Sequence, residues 1–394
     1  MEEQFKLVSR TPDQSAVPIF LTPEHAEQVR SFHKTIPGYA PTPLVSLDDT
    51  AKALGVGKIW VKDESKRFGL NAFKVLGGSY AMGRLMARRL GLEIPDFSTL
   101  TAGETREKLG DITFVTATDG NHGRGVAWSA AQLDQRSVVY MPAGSARERL
   151  ENIRAAGADA SIIDGNYDEA VRLAARQAEE QGWLLVQDTA WEGYRDIPQW
   201  IMEGYCTLGL EALEQLEEAP THIFLQAGVG SMAGALAGLF TAAFDTKPTI
   251  VIVEPNKADC IFRTAQANDG QLHTVTGAMD TIMAGLACGE PCSIGWEVLK
   301  STANHFISCP DAAAAYGMRI LGNPAGRDNR IISGESGAAA FGCAASLLTD
   351  PSLAQIKDAL GLVETSRLLF ISTEGDTDRE NYRAITWGGK FSRL

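Results

Sequence analysis

The sequence predicts an α/β protein in two lobes with mostly parallel sheets. Three observations point there. Short apolar runs alternate with helical patterns along most of the chain. These runs are aliphatic or β-branched throughout rather than alternating with polar residues, as strands covered on both faces should be. At 394 residues the chain is also longer than a single core usually grows.

The first forty residues read as an extension that packs onto the body and ends at PTPL, 41–44. Strands follow at Lys58–Val61, Ile112–Thr116, Ser137–Met141, Ala160–Asp164 and Leu184–Gln187. Three more are expected at Ile223–Gln226, Thr249–Glu254 and Leu368–Ser372. The clearest helix is DEAVRLAARQAEEQ, 168–181, whose apolar stripe runs through Ala170, Val171, Ala174, Ala175 and Ala178. Residues 91–111 form the least regular stretch, polar and expected at the surface. In such folds ligands collect at the carboxyl ends of strands, so the strand ends carry the search for function.

Composition narrows that search. A formal charge of −13 argues against nucleic acid or an anionic membrane as partner, because both need clustered Lys and Arg. The opening MEEQFKLVSRTPDQ lacks the apolar stretch of a secretory signal, and no run approaches a spanning helix. Six cysteines spread through a chain of this kind are expected as reduced thiols. Cys288 and Cys292 lie four apart, but no neighbouring Cys or His pair completes a zinc site, so no metal is expected.

Four stretches concentrate chemistry. In LQAGVGSMAGALAGLF, 225–240, a strand runs into Gly228, Gly230 and Gly234 and then into an apolar helix. Glycines let a backbone approach an anion, and the amides at a helix N-terminus then hold it, so Gly228–Ser231, with Val229 between, reads as a phosphate cradle. A tight strand-to-helix turn is the plainer reading. The same residues fit a dinucleotide fingerprint with Glu254 as the ribose acid, which would make the protein a nucleotide-binding oxidoreductase. In FVTATDGNHGRGVAW, 114–128, polar groups converge where a strand meets a helix, although Asp119 or Asn121 would also serve as a plain helix cap. LLFISTEGDTD, 368–378, ends a strand in hydroxyls and acids, and its Ser372 has a hydroxyl to offer a ring nitrogen. In FGLNAFKVLGG, 68–78, Lys74 begins an apolar helix, either snorkelling to the surface or held dry for its amine.

These four stretches, in this order, resemble the fold type II pyridoxal-phosphate enzymes, the family of threonine and serine dehydratases, cysteine synthase and the tryptophan synthase β chain. The resemblance implies pyridoxal 5′-phosphate attached to Lys74, its ring hydroxyl on Asn121, its phosphate on Gly228–Ser231 and its ring nitrogen near Ser372. A neutral hydroxyl there would weaken the ring as an electron sink and favour elimination over transamination. It also implies a large cofactor-binding domain from 1–80 and 200–394, with a smaller α/β domain at 81–199. Ala72 stands where the broad family has serine, Leu76 where dehydratases commonly have arginine, and Asp119 where a small neutral residue is usual. Together with QDTAWEGY, 187–194, and IMAGLACGEP, 282–291, these departures are similar to a narrower family, the diaminopropionate ammonia-lyases.

That narrower resemblance extends from about Thr42 to near the C-terminus. It implies conversion of D- and L-2,3-diaminopropionate to pyruvate and two ammonia, in a cytoplasmic homodimer. A substrate with a second ammonium invites carboxylates, and Asp119 and Asp188 are the candidates; turn or helix capping is the alternative for each. The rival functions are a serine or threonine dehydratase of the same fold, the oxidoreductase above, and a non-catalytic amino-acid-binding module.

Overall fold

The computed structural model describes residues 4–13, 17–93, 96–118 and 120–392. Eleven strands form two sheets: β1 (Lys6–Ser9), β2 (Leu44–Ser46), β3 (Lys58–Asp63), β4 (Thr113–Ala117), β5 (Arg136–Met141), β6 (Asp159–Ile162), β7 (Leu184–Leu185), β8 (His222–Gln226), β9 (Thr249–Pro255), β10 (His305–Cys309) and β11 (Arg367–Ser372). The larger sheet has the order β1-β10-β9-β8-β11-β3-β2, and the smaller β6-β5-β4-β7. All pairs are parallel except the two edges of the large sheet, where β1 on β10 and β2 on β3 are antiparallel.

The continuous apolar runs are explained by packing on both faces. Ile223, Leu225, Ile250, Ile252, Leu369 and Ile371 point into one core cluster. Their neighbours Phe224, Val251, Val253, Leu368 and Phe370 point into a second. Period-two alternation is present, but both phases are apolar, which is the signature of a central parallel sheet.

Three strands lie outside the expected set. β1 and β2 are short edge strands in the N-terminal extension and just after it. β10 reads HFISC, where His305, Ser308 and Cys309 interrupt the apolar signal although Phe306 and Ile307 are fully buried. The polar 91–111 stretch carries two short helices, Phe97–Leu100 and Gly103–Leu109.

One helix crossing positions the site. The Val75–Leu90 helix packs on the Asp196–Gln215 helix so closely that a Cβ at Gly204 would lie 2.4 Å from the Leu76 carbonyl oxygen, and one at Gly77 would lie 2.6 Å from the Tyr205 ring. On the other side, a Cβ at Gly125 would meet the Val75 backbone at 2.9 Å, so the Asn121–Gln132 helix also touches the start of the first helix. Buried His33 locks the crossing: one ring nitrogen donates to the Leu76 carbonyl at 2.9 Å, and the other accepts from Thr207 at 2.7 Å. Burial pushes its pKa down to about 3, so it stays neutral.

Gly204→Ala should therefore destabilise the protein. Alanine gains about 1 kcal/mol of helix propensity, but overpacking against backbone costs typically 1–3 kcal/mol or more. A net loss of at least about 1 kcal/mol is expected in urea denaturation. An unchanged midpoint would show that the two helices separate without cost.

Candidate active site

Lys74 enters the site from an unusual piece of backbone. Phe68 and Asn71 have positive φ of 49° and 58°, in the region non-glycine residues seldom occupy. Asn71 is held there by the strand-end segment after β11. Its side chain donates to Asp376 at 3.2 Å, its carbonyl accepts from the Gly375 amide at 3.0 Å, and the Phe73 amide donates to the Thr373 carbonyl at 3.1 Å. The chain thus lies along residues 373–375 and then turns into the helix, delivering Lys74 to a cleft between the two sheets. That cleft is lined by Phe73, Lys74, Tyr205, Gln226, Ser231 and Thr373 among others.

Inside it the Lys74 amine pairs with the Asp188 carboxylate. Burial alone would push the Asp188 carboxyl up, but Lys74 and His122 hold it well below the usual carboxylate range. The second Asp188 oxygen accepts from the Tyr167 hydroxyl at 3.3 Å, and the Asp188 carbonyl accepts from the Ser231 hydroxyl at 2.6 Å. Asp188 is therefore an ionised partner to the amine and not a helix cap.

The glycine turn forms the opposite wall. Gly230 has φ +93°, and the helix Ser231–Ala243 starts immediately after it. Among the described residues, the amides of Gly228, Val229, Gly230 and Ser231 have no hydrogen-bond acceptor within the protein. A Cβ on Gly228 would sit 3.1 Å from the Gly285 carbonyl oxygen and 3.2 Å from the Cys288 sulfur. Here the glycines make a cradle of donors, which suits the phosphate of pyridoxal phosphate. Three more buried polar atoms on the lining, His122 Nδ1, the Tyr205 hydroxyl and Gln226 Oε1, also lack a partner among the described residues. Anion cradle, amine and spare polar atoms together fit that cofactor.

The oxidoreductase reading fails on Glu254. Both of its oxygens are taken by backbone amides, of Ile261 at 2.9 Å and Phe262 at 2.6 Å, and it is fully buried. It caps the Cys260–Ala267 helix and is closed to a ribose.

Other expected residues sort as follows. Asn121 lines the cleft at the first turn of its helix and donates to the Glu374 carboxylate. Asp119 lies outside the described residues. Ser372 does not line the cleft: it shares a strand face with Leu368 and Phe370, and its hydroxyl donates to Ser333 at 2.8 Å. The hydroxyl that lines the cleft there is that of the next residue, Thr373, which accepts from Gln226 at 3.1 Å. Sequence reasoning also missed Tyr167, Tyr205, Gln226 and Glu374, of which Gln226 and Glu374 lay inside stretches already singled out. All six cysteines are buried, and none forms a disulfide among the described residues.

The fold and the site define a class, and similarity to known proteins agrees. The sequence model of the family described as "Pyridoxal-phosphate dependent enzyme" matches residues 35–359, so the chain is a pyridoxal-phosphate enzyme. Within that class it belongs to the diaminopropionate ammonia-lyase family. The diaminopropionate ammonia-lyase of Escherichia coli K12 is 52% identical over 380 residues, covering 95% of this chain and 94% of that protein. That of Salmonella typhimurium is 52% identical over 371 residues, covering 92% of each. The crystal structure of the holo E. coli enzyme superimposes with a TM-score of 0.93 at 47% identity, over 99% of this chain and 98% of that one. A tomato threonine deaminase, at 19% identity and TM-score 0.74, shares the fold.

Glu335 gives the site a measurable pH response. Burial and the neighbouring Glu374 push its carboxyl from 4.5 up to about 7, with Arg149 opposing. A raised acid favours the protonated form in the fold, so this contribution is complete below 4.5 and disappears as pH rises through 7. Glu335→Gln stays neutral and keeps an acceptor for Asn381, which bonds Glu335 at 2.6 Å. The variant should match the wild type in thermal melts near about pH 4 and melt higher at about pH 8.5. Equal melting temperatures at both would show Glu335 titrating normally.

Proposed function

We propose that the protein eliminates ammonia from D- and L-2,3-diaminopropionate, consuming one water and releasing pyruvate and two ammonia. The observation that carries this reading is an amine, Lys74, held against an ionised carboxylate in the same cleft as four unpartnered backbone amides. Pyridoxal phosphate, when bound, supplies an electron sink that acidifies the substrate's α-hydrogen. Its phosphate would sit on the Gly228–Ser231 amides, and Lys74 would hold it covalently.

The chain's own residues then divide the work. Lys74, freed from the cofactor by the incoming amino acid, takes the α-proton from the face it occupies. Asp188 holds the Lys74 amine at that position. One amine reaches only one face, so use of the other isomer needs a second base; we assign that role to Asp119. The buried cysteines, none in a disulfide among the described residues, fit a cytoplasmic enzyme, and the family resemblance supports a homodimer.

Borohydride reduction of the holoenzyme followed by peptide mass analysis should place the cofactor adduct on the peptide containing Lys74. An adduct on Lys62, which is fully buried against Glu211, or on exposed Lys66 would sink the assignment. Lys74→Ala should lower ammonia release by more than about 10²-fold while the protein remains folded.

Asp119→Asn keeps shape and removes basicity. Ammonia release from the pure D isomer should fall about 10²-fold or more, while the L isomer, served by Lys74, keeps most of its rate. Equal losses for both isomers would assign Asp119 to binding instead.

A further inference from the structure

We propose that Glu374 is a positioning residue that fixes the side-chain amide of Asn121 toward the cofactor and straps the two sheets together across the cleft. The inference rests on the reading above, in which the cofactor lies beside Asn121.

Glu374 is 1% exposed, yet it carries no ion pair among the described residues. Its carboxylate is surrounded by donors instead. One oxygen accepts from the Asn121 amide and from the Thr377 hydroxyl at 3.2 Å; the other accepts from the Ser336 backbone amide at 3.2 Å. The position is built for it. A Cβ on Gly334 would lie 3.1 Å from the Glu374 Cγ, and the Glu374 carbonyl accepts from the Gly334 amide at 3.0 Å.

The consequence concerns Asn121. An asparagine amide has a donor end and an acceptor end that are nearly the same shape, so packing alone does not choose between them. In the structure Asn121 turns its nitrogen to Glu374, whose oxygens also accept from Thr377 and Ser336. That choice fixes which groups remain for the cofactor's ring oxygen. It is also a contact between lobes, because Asn121 starts the helix after β4 of the small sheet while Glu374 follows β11 of the large one.

Glu374→Gln is the discriminating change. Three donors converge on two oxygens, and glutamine supplies one oxygen and one NH₂. Toward Ser336 its NH₂ would meet a backbone N–H that cannot accept; toward the other oxygen's partners the Thr377 hydroxyl can accept by rotating, and Asn121 can accept only by flipping its amide to present oxygen. The flip would reverse donor and acceptor at the cofactor's ring oxygen.

The test is a double-mutant comparison on purified protein, reading cofactor dissociation by dialysis and the visible absorption band of the bound cofactor. In the otherwise wild-type protein, Glu374→Gln should weaken cofactor retention at least about tenfold and shift the band. In an Asn121→Ala background it should do neither, because the residue it acts through is gone. A Glu374→Gln effect of equal size in both backgrounds, or no spectral shift in either, would overturn the proposal. If Asn121→Ala alone left retention and spectrum unchanged, the placement of Asn121 beside the cofactor would fall, and the proposal with it. Cofactor found on Lys74 by borohydride labelling, with Glu374→Gln silent, would refute the proposal and leave the function standing. Should Glu374→Gln fail to fold, Glu374→Asp carries the same comparison, since it keeps an acceptor one methylene short of Asn121.

Discussion

A fully buried cluster of four charges anchors the backbone that presents Lys74. Lys62 on β3 and Glu64 and Arg67 in the turn after it meet Glu211 on the Asp196–Gln215 helix, and none is more than 1% exposed. The Arg67 fork donates to both Glu211 oxygens at 2.9 and 2.7 Å and to both Glu64 oxygens at 2.9 Å. Lys62 donates to Glu211 at 2.8 Å, to the Thr42 carbonyl at 2.6 Å and to Gln215 at 2.9 Å. Desolvating such groups costs several kcal/mol per ion, which only a fully satisfied network offsets. Burial would raise the Glu211 carboxyl, but Arg67 and Lys62 hold it down to about 2. Such a cluster has few alternative arrangements, because moving any member leaves an unpaired charge in the core.

That rigidity matters because the next residues are not regular. Arg67 already departs from helical geometry, Phe68 and Asn71 are left-handed, and the helix proper begins only after Lys74. A backbone of this kind persists when its surroundings over-determine it. The charge cluster fixes one end, and the Asn71–Gly375 and Phe73–Thr373 hydrogen bonds fix the other. The close crossings at Gly77, Gly204 and Gly125 then leave the first turn of the helix little freedom to shift. The Lys74 side chain, in contrast, is 18% exposed and pairs with the ionised Asp188. The scaffold is locked while the reactive group keeps room to move.

How much of this was legible in sequence depends on which level carried the information. The central strands were readable because both of their faces are apolar; Lys74 and the glycine turn stood out as candidates, although each had a plainer reading of its own. β10 was not, because His305, Ser308 and Cys309 serve positions that composition alone cannot distinguish from a loop. Ser372 shows a finer failure. A strand end offers two adjacent hydroxyls, and side chains alternate faces, so a one-residue choice decides which hydroxyl meets the cleft. Only the register with Leu368 and Phe370 on one face, and Leu369 and Ile371 on the other, resolves it. Glu374 was visible as an acid, but its partners Asn121 and Ser336 lie 253 and 38 residues away. Spacing cannot reveal a contact of that kind.

The charge of the molecule and the charge of its cofactor pose one last constraint. A chain with a formal charge of −13 must hold a phosphate, yet no Lys or Arg lies between Ile223 and Thr246. In the reading proposed above, the fold answers with backbone. Helices begin at Val75, Asn121 and Ser231, and the lining of the cleft takes in Lys74, Asn121 and Ser231. The N-terminus of a helix carries roughly half a positive elementary charge and unpaired amide donors. Donors of this sort need no flexible side chain to be ordered, so less entropy is lost on binding than with a lysine or arginine. They also leave Lys74 as the cation nearest the chemistry. An arginine on the phosphate would compete for Asp188, and the pairing that holds the Lys74 amine in place would weaken.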